Sequence, residues 1–222
     1  MRRSVPFAVF AALVLAVLLG LGTWQVQRLH WKEGVLAHIA ARIAAPPAPL
    51  PELPDEARDE YLAVTVRGAL GGQEIPVLIA HPDYGPGFRI VARLVSGDRA
   101  LLVDLGYVRE DARDIPRMAE SVTITGNLLW PDDADSWTPP PDAATGMWFA
   151  REAQAMGQAL DAEPFVIVAR TVAPSVGTLP MPVDTEGIPN DHLGYAITWF
   201  GLAIAWAIMA FVALRRMRRR RG

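Results

Sequence analysis

The chain contains no cysteine. That absence excludes disulfides, thiolate zinc sites, c-type haem attachment and thiol-based copper chaperoning. It leaves the compartment open, because a domain of this size can fold without disulfide staples. Histidine is scarce: His30, His38, His81 and His192 are the complete set. Catalytic signatures are missing as well, with no nucleophile elbow, phosphate loop, dinucleotide fingerprint or zinc-protease motif. The aspartates of PDDADSW (Asp132, Asp133, Asp135) lack the glycine and closing glutamate of a calcium loop and read as a solvated turn. His81, in AHPDYGPG, sits in a turn context and reads as a loop histidine. The expectation is a protein that is not an enzyme, with no small-molecule substrate and no nucleic-acid partner.

Net charge is also low, at -3, but this total hides a segregation. Arg2 and Arg3 stand at the front, and Arg215, Arg216, Arg218, Arg219, Arg220 and Arg221 at the back. The stretch between holds thirteen basic residues against twenty-four acidic ones. Basic ends around an acidic middle make a statement about topology rather than about partners.

Two apolar runs lie just inside those arginines. Val5 to Gly22 has no polar side chain and spans roughly 27 Å as a helix, close to the hydrocarbon thickness of a bilayer. Leu193 to Leu214 has no charge and spans roughly 33 Å, enough to cross with some tilt. No small-x-small cleavage site follows the first run, so an uncleaved anchor is expected rather than a signal peptide. The positive-inside rule then puts both termini in the cytoplasm and the acidic middle across the membrane, in the periplasm if the host is a bacterium. The division expected is a first transmembrane helix over 5–23, a helical extension and proline-rich connector over 24–60, and a periplasmic β-rich domain over 61–189. A second transmembrane helix over 192–214 and an arginine-rich cytoplasmic tail over 215–222 complete it. Ala8, Ala12, Ala16 and Gly20 recur at i+4, a small face suited to packing on the second helix or on a larger membrane protein. Candidate counterparts are Ala203, Ala207 and Ala210, or Gly201 with Ala205.

From Tyr61 the period changes to two. YLAVTVRGAL, IPVLIAH, FRIVARLVS, RALLVDLGYV, SVTITGNLL and PFVIVARTV are β-branched, aromatic-rich runs bounded by Gly, Pro and Asp. SGD, between the third and fourth, reads as a hairpin turn. MWFAREAQAMGQAL predicts one helix with Phe149, Ala153, Met156 and Leu160 on a face. The fold class expected is therefore a membrane protein whose two transmembrane helices form a hairpin. They flank one α+β, mainly antiparallel β, extracytoplasmic domain, a small barrel or a curled sheet.

Of the four histidines only His192 lies at a membrane boundary. Helical spacing lines up Tyr195, Ala196, Trp199 and Ala203 behind it. Two readings fit. His, Tyr and Trp all favour the interfacial belt, where an apolar body and a polar tip are both satisfied. Equally, an imidazole followed by flat aromatics suits a planar apolar ligand held by one axial nitrogen. Trp24, Gln25, Arg28, Trp31 and Lys32 mirror this stripe at the end of the first helix.

GTWQVQRLHWK (Gly22 to Lys32) and PNDHLGYAITWFGLA (Pro189 to Ala203) resemble the paired end motifs of the surfeit locus protein family of cytochrome c oxidase assembly factors. LLVDLGYV is similar to that family's mid-domain strand and glycine turn, and GMWFAREAQAMG to its tryptophan-led helix. The resemblance covers nearly the whole chain in order. It implies a non-enzymatic assembly factor for aa3-type oxidase that binds haem a and assists its insertion into oxidase subunit I. Haem a synthase is a further candidate partner, and membrane lipid surrounds the hairpin. His192 matches the family's membrane-edge histidine and takes the haem-iron ligand role by resemblance. Tyr195, Thr198 and Trp199 match pocket positions; Trp24, Gln25, Arg28 and Trp31 match the first motif, with Arg28 or Lys32 placed to pair haem propionates. The chain departs from the family pattern at Asp191, where asparagine is common, and at Asp104–Tyr107, where asparagine-arginine-glycine-tryptophan is more usual. The competing expectation is a cofactor-free scaffold that stabilises oxidase assembly intermediates. A sensor is disfavoured by the short tails, and copper delivery by the missing cysteine and methionine clusters.

Overall fold

The structure is a computed structural model that describes residues 4–81 and 83–219. Arg2, Arg3, Arg220 and Arg221 lie outside the described residues. The chain divides into two compact units, one of residues 1–38 with 185–222 and one of residues 39–184.

The first unit is built on two helices. Helix α1 runs unbroken over Ser4–Ala44, so the apolar run and its polar extension are one rod. The β domain ends before the second helix, α4, which spans His192–Arg219 and carries the arginines from Arg215 to Arg219 within its helical length. Both helices are long and apolar enough to cross a membrane, with mean hydropathy of 2.6 and 2.2 over their most apolar stretches. Their seam follows a seven-residue repeat. Ala196, Ala203 and Ala210 are buried on α4, with Trp199 and Trp206 half-buried between them. On α1 the matching positions are Ala11, Leu18 and Gln25. Such spacing keeps one stripe facing its partner along a left-handed helix pair. Trp206 Nε1 donates to the Ala11 carbonyl at 3.0 Å, satisfying an indole that would otherwise lie unpaired in an apolar setting.

The expected i+4 stripe is not this seam. Ala12, Ala16 and Gly20 are exposed, and a Cβ on Gly20 would meet nothing within 4 Å. Ala203 and Ala210 do pack inward, whereas Gly201 and Ala205 are exposed. The pair closes instead on a heptad in which leucine, glutamine and tryptophan lie between the small residues.

The second unit is a closed barrel. A two-residue strand β1 (Ala48–Pro49) lies on β2 (Ala63–His81). Strands β3 (Gly85–Ser96), β4 (Arg99–Arg109), β5 (Met118–Leu129) and β6 (Val166–Ala173) complete the sheet in the order β1-β2-β3-β4-β6-β5, and a β2–β5 pairing closes it. Only β1–β2 and β4–β6 are parallel. YLAVTVRGAL and IPVLIAH are thus one strand rather than two. The GGQE between them, which reads as a turn, is an irregular stretch that lets the first half of β2 pair with β5 and the second half with β3. The β3–β4 connection is the hairpin turn expected at SGD, a two-residue loop with Gly97 at φ 61°.

Side chains inside the barrel (Phe88, Ile90, Leu94, Leu101, Val103, Ile124, Ile167) are nearly all below 5% exposure and form one core. A second core lies outside it, where Val91, Leu102, Val166 and Val168 meet Ala153 and Met156. Those two belong to helix α3, which spans only Ala153–Leu160. Residues 147–151 are not helical as expected, because their backbone pairs with β2: Trp148 N donates to Pro76 O at 2.9 Å, and Leu78 N to Trp148 O at 2.8 Å. A short helix α2 (Glu56–Asp59) precedes β2. The last turn of α1 is tied into this unit, since Ile43 O accepts from Asn127 Nδ2 at 3.2 Å and Arg170 Nη1 at 3.0 Å. Helix-end carbonyls have no partner within the helix, so these bonds complete them.

Candidate functional site

The site builds up from one hydrogen bond between the two helices. His192 opens α4, and its Nδ1 lies 2.8 Å from Oε1 of Gln25 on α1. Gln25 is 8% exposed and His192 is half-buried. An amide oxygen can only accept, so Nδ1 is the donor in this contact, and in the Nδ1–H tautomer Nε2 would be the free ring nitrogen. That is the state in which imidazole ligates a metal, and a ligating histidine ordinarily donates its second ring N–H to an oxygen.

Gly22, one turn deeper on α1, holds the ring of Phe200: a Cβ there would come within 2.7 Å of it. This contact marks one flank of the helix pair. Counting roughly 100° per residue puts Trp24, Arg28 and Tyr195 on the other flank, close to the level of the Gln25–His192 bond. They are exposed there, Trp24 at 54% and Tyr195 at 57%, with the Arg28 guanidinium 3.9 Å over the Trp31 ring. By this count the flank that carries Trp24, Arg28 and Tyr195 adjoins the Gln25–His192 bond.

Other sequence-nominated residues fall elsewhere. Ala196 and Ala203 are in the seam and Trp199 is half-buried beside them, so the stripe behind His192 is mostly a helix–helix contact rather than an open ligand face. Thr198 is exposed, and its hydroxyl donates to Gly194 O at 2.9 Å within its own helix. Lys32 is half-buried, about two turns beyond Gln25. His30 is exposed and, by the same wheel, faces away from the seam, so it does not join His192. Among the described residues no group of three or more His, Asp or Glu is placed to hold a bare metal ion.

The barrel carries a feature that sequence reasoning missed. Asp104 is 1% exposed, paired with Arg89 and with Arg151 Nη1 at 3.3 Å, and it accepts from Gly106 N at 3.0 Å. Arg151 continues to Asp133 at 2.8 Å, and Arg89 donates to Met181 O at 2.8 Å. Burial works to lower the Arg151 pKa, but Asp104 and Asp133 outweigh it and hold it above its ordinary value. Gly106, at φ 99°, leaves no room for a Cβ beneath the Leu179 carbonyl. Tyr107 and Leu179 exchange both backbone bonds, at 2.7 and 2.9 Å. The DLGY motif therefore pins the strap that leaves the barrel. The signal for this was the glycine two residues after an aspartate in an otherwise apolar strand.

His81 lies at the end of β2 rather than in an open turn, its Nδ1 accepting from Asp83 N at 3.1 Å and its ring beside Tyr84 and Tyr107. Asp135 caps its own turn through Trp137 N and Thr138.

Two helices long and apolar enough to cross a membrane, with a closed β-barrel unit between them in the chain, are compatible with a membrane-anchored protein. The sequence profile of the SURF1 family matches residues 12–204. The chain belongs to the SURF1 family, the oxidase assembly factors that its terminal motifs resemble. It is 29% identical to human Surfeit locus protein 1 over 217 residues, covering 86% of this chain and 72% of that one. Against Surfeit locus protein 1 of Mus musculus it is 28% identical over 226 residues, with 91% and 74% covered. The SURF1-like protein of Drosophila melanogaster is 27% identical over 234 residues, with 94% and 77% covered.

Proposed function

We propose that this chain is a non-enzymatic assembly factor for aa3-type cytochrome c oxidase. It holds haem a at the membrane edge and assists its insertion into oxidase subunit I, with haem a synthase as the source of the cargo. The observation that carries the reading is the Gln25–His192 bond, which holds a half-buried imidazole at the start of α4 through one ring nitrogen and leaves the other to act as a ligand in the Nδ1–H tautomer. The donor set fits: a lone imidazole suits an iron that already takes four nitrogens from a porphyrin. Trp24 and Tyr195 offer ring faces to a planar apolar body, and Arg28 sits at the interface where propionates would lie. When bound, haem a would supply a redox-active iron; His192 would hold it through a ring nitrogen, with Trp24, Tyr195 and Arg28 as the residues that would line it.

The test is a redox difference spectrum of the detergent-purified protein after co-expression with haem a synthesis, beside His192→Ala. Haem a in the parent and its loss in the variant support the reading. Equal haem in both would move the ligand elsewhere. Absence of haem from both would favour the second reading, a scaffold, which the outward face of Ala12, Ala16 and Gly20 supports.

A further inference from the structure

We infer that Gln25 is the positioning residue of the His192 site: it sets the imidazole's tautomer and ring orientation so that Nε2 is the ligating atom. The inference rests on the reading of His192 as a ligand and adds a residue that acts only through it. Gln25 is buried at 8% in an apolar seam, on the same heptad position as Ala11 and Leu18. A glutamine there costs desolvation unless its amide is paired. His192 Nδ1, at 2.8 Å, is the partner that meets Oε1. The bond joins the two helices across 167 residues of sequence, so imidazole orientation depends on helix pairing and not on α4 alone.

The acceptor's chemistry matters. A carboxylate at the same place would pull the Nδ1 proton toward itself, give the ring imidazolate character and strengthen its donation to iron. The neutral amide fixes direction while leaving the nitrogen a moderate donor. That combination suits a site that must hold a cofactor and then give it up. Losing an outer partner of this kind typically costs about 10- to 100-fold in metal affinity.

The experiment uses the full-length chain in detergent, as the parent and as Gln25→Leu, Gln25→Glu and His192→Ala. In the cofactor-free protein, the ¹⁵N shifts of the His192 ring report which nitrogen carries the proton. The expected result is Nδ1–H in the parent, and loss of that preference in Gln25→Leu. An Nε2–H ring in the parent would overturn the inference. In haem-loaded protein, Gln25→Leu is expected to weaken retention about 10- to 100-fold. Gln25→Glu, which keeps the acceptor, should retain haem and shift its midpoint potential to a more negative value. Retention and potential unchanged in both Gln25 variants would overturn the positioning role while leaving His192 as ligand. Haem retained by His192→Ala would instead overturn the underlying reading. If Gln25 merely spaced the helices, leucine would serve as well as glutamate and the potential would not move.

Discussion

Gly106 and Asp104 show how single residues hold the strap that leaves the barrel. Gly106 combines a φ of 99°, open to glycine at little cost, with a backbone carbonyl where a Cβ would stand. Gly106→Ala is therefore expected to lose stability by about 2–4 kcal/mol, read as a lowered thermal midpoint in detergent by circular dichroism. Asp104 is harder to replace than to bury. Its carboxylate neutralises Arg89 and Arg151, which are themselves largely out of water at 14% and 16% side-chain exposure. Asp104→Ala leaves both guanidiniums without that partner, and the expected cost is about 3–5 kcal/mol, typical of breaking a buried pair from one side. Thermal melts would decide it. If Asp104→Ala melts with the parent, the network does not anchor the strap.

At the scale of elements, α2 and the helix pair each make a test. In α2, Arg58 bonds Asp59 through Nη2 at 2.7 Å and Nε at 2.9 Å, and Asp55 N adds a third donor at 3.0 Å. The guanidinium of Arg58, first among these, holds the Asp59 carboxyl below the usual range. A depressed folded pKa contributes stability that is present above the unfolded value, about 3.9, and is lost as pH falls through the folded one. Asp59→Asn should therefore melt lower than the parent at pH 7, and the gap should narrow as pH drops below about 4. A gap independent of pH would refute the assignment. For the helix pair, the cysteine-free sequence is an advantage. Gly22→Cys with Phe200→Cys is expected to cross-link through a short bifunctional thiol reagent, because the Phe200 side chain reaches Gly22 across the seam. Gly20→Cys with Gly201→Cys should not cross-link within one chain, since neither glycine has a neighbour within 4 Å.

What the sequence made legible at this scale follows from range. Strands with strict alternation, the Gly97 turn and both long apolar helices are local signals, and the structure has them. Gly71–Gly72 misled because a glycine pair marks a bulge as readily as a turn, and only the pairing of β2 with two different strands separates the cases. Met147 to Arg151 carried a helical pattern that backbone pairing with β2 overrode. His192 was legible from its place at the membrane edge. Gln25 stood in the matching motif at the other end, yet its role needed the heptad register of α1, where it follows Ala11 and Leu18. Reading small residues at i+4 instead of mixed residues at i+7 hid that register.

Across the whole molecule, the charge pattern and the two spans make one demand. If the arginines at the outer ends of both helices hold those ends in the cytoplasm, everything between them is exported, including the acidic barrel. Trp137 is a suitable reporter of that side: it is 90% exposed, and its turn is fixed by Asp135, so replacing it disturbs no core. Trp137→Cys would then be the one thiol in the chain. In intact cells it is expected to react with a membrane-impermeant maleimide, whereas a cysteine added after the arginine-rich C-terminal end should react once the membrane is opened. Reversal of the two would invert the topology and put His192 at the cytoplasmic face. A haem site there would receive its cargo from the other side of the bilayer, and the partner surface on subunit I would change with it. Labelling of both thiols in intact cells would instead mean that the two helices do not span as a pair. The orientation is thus the first condition that any delivery role for His192 must satisfy.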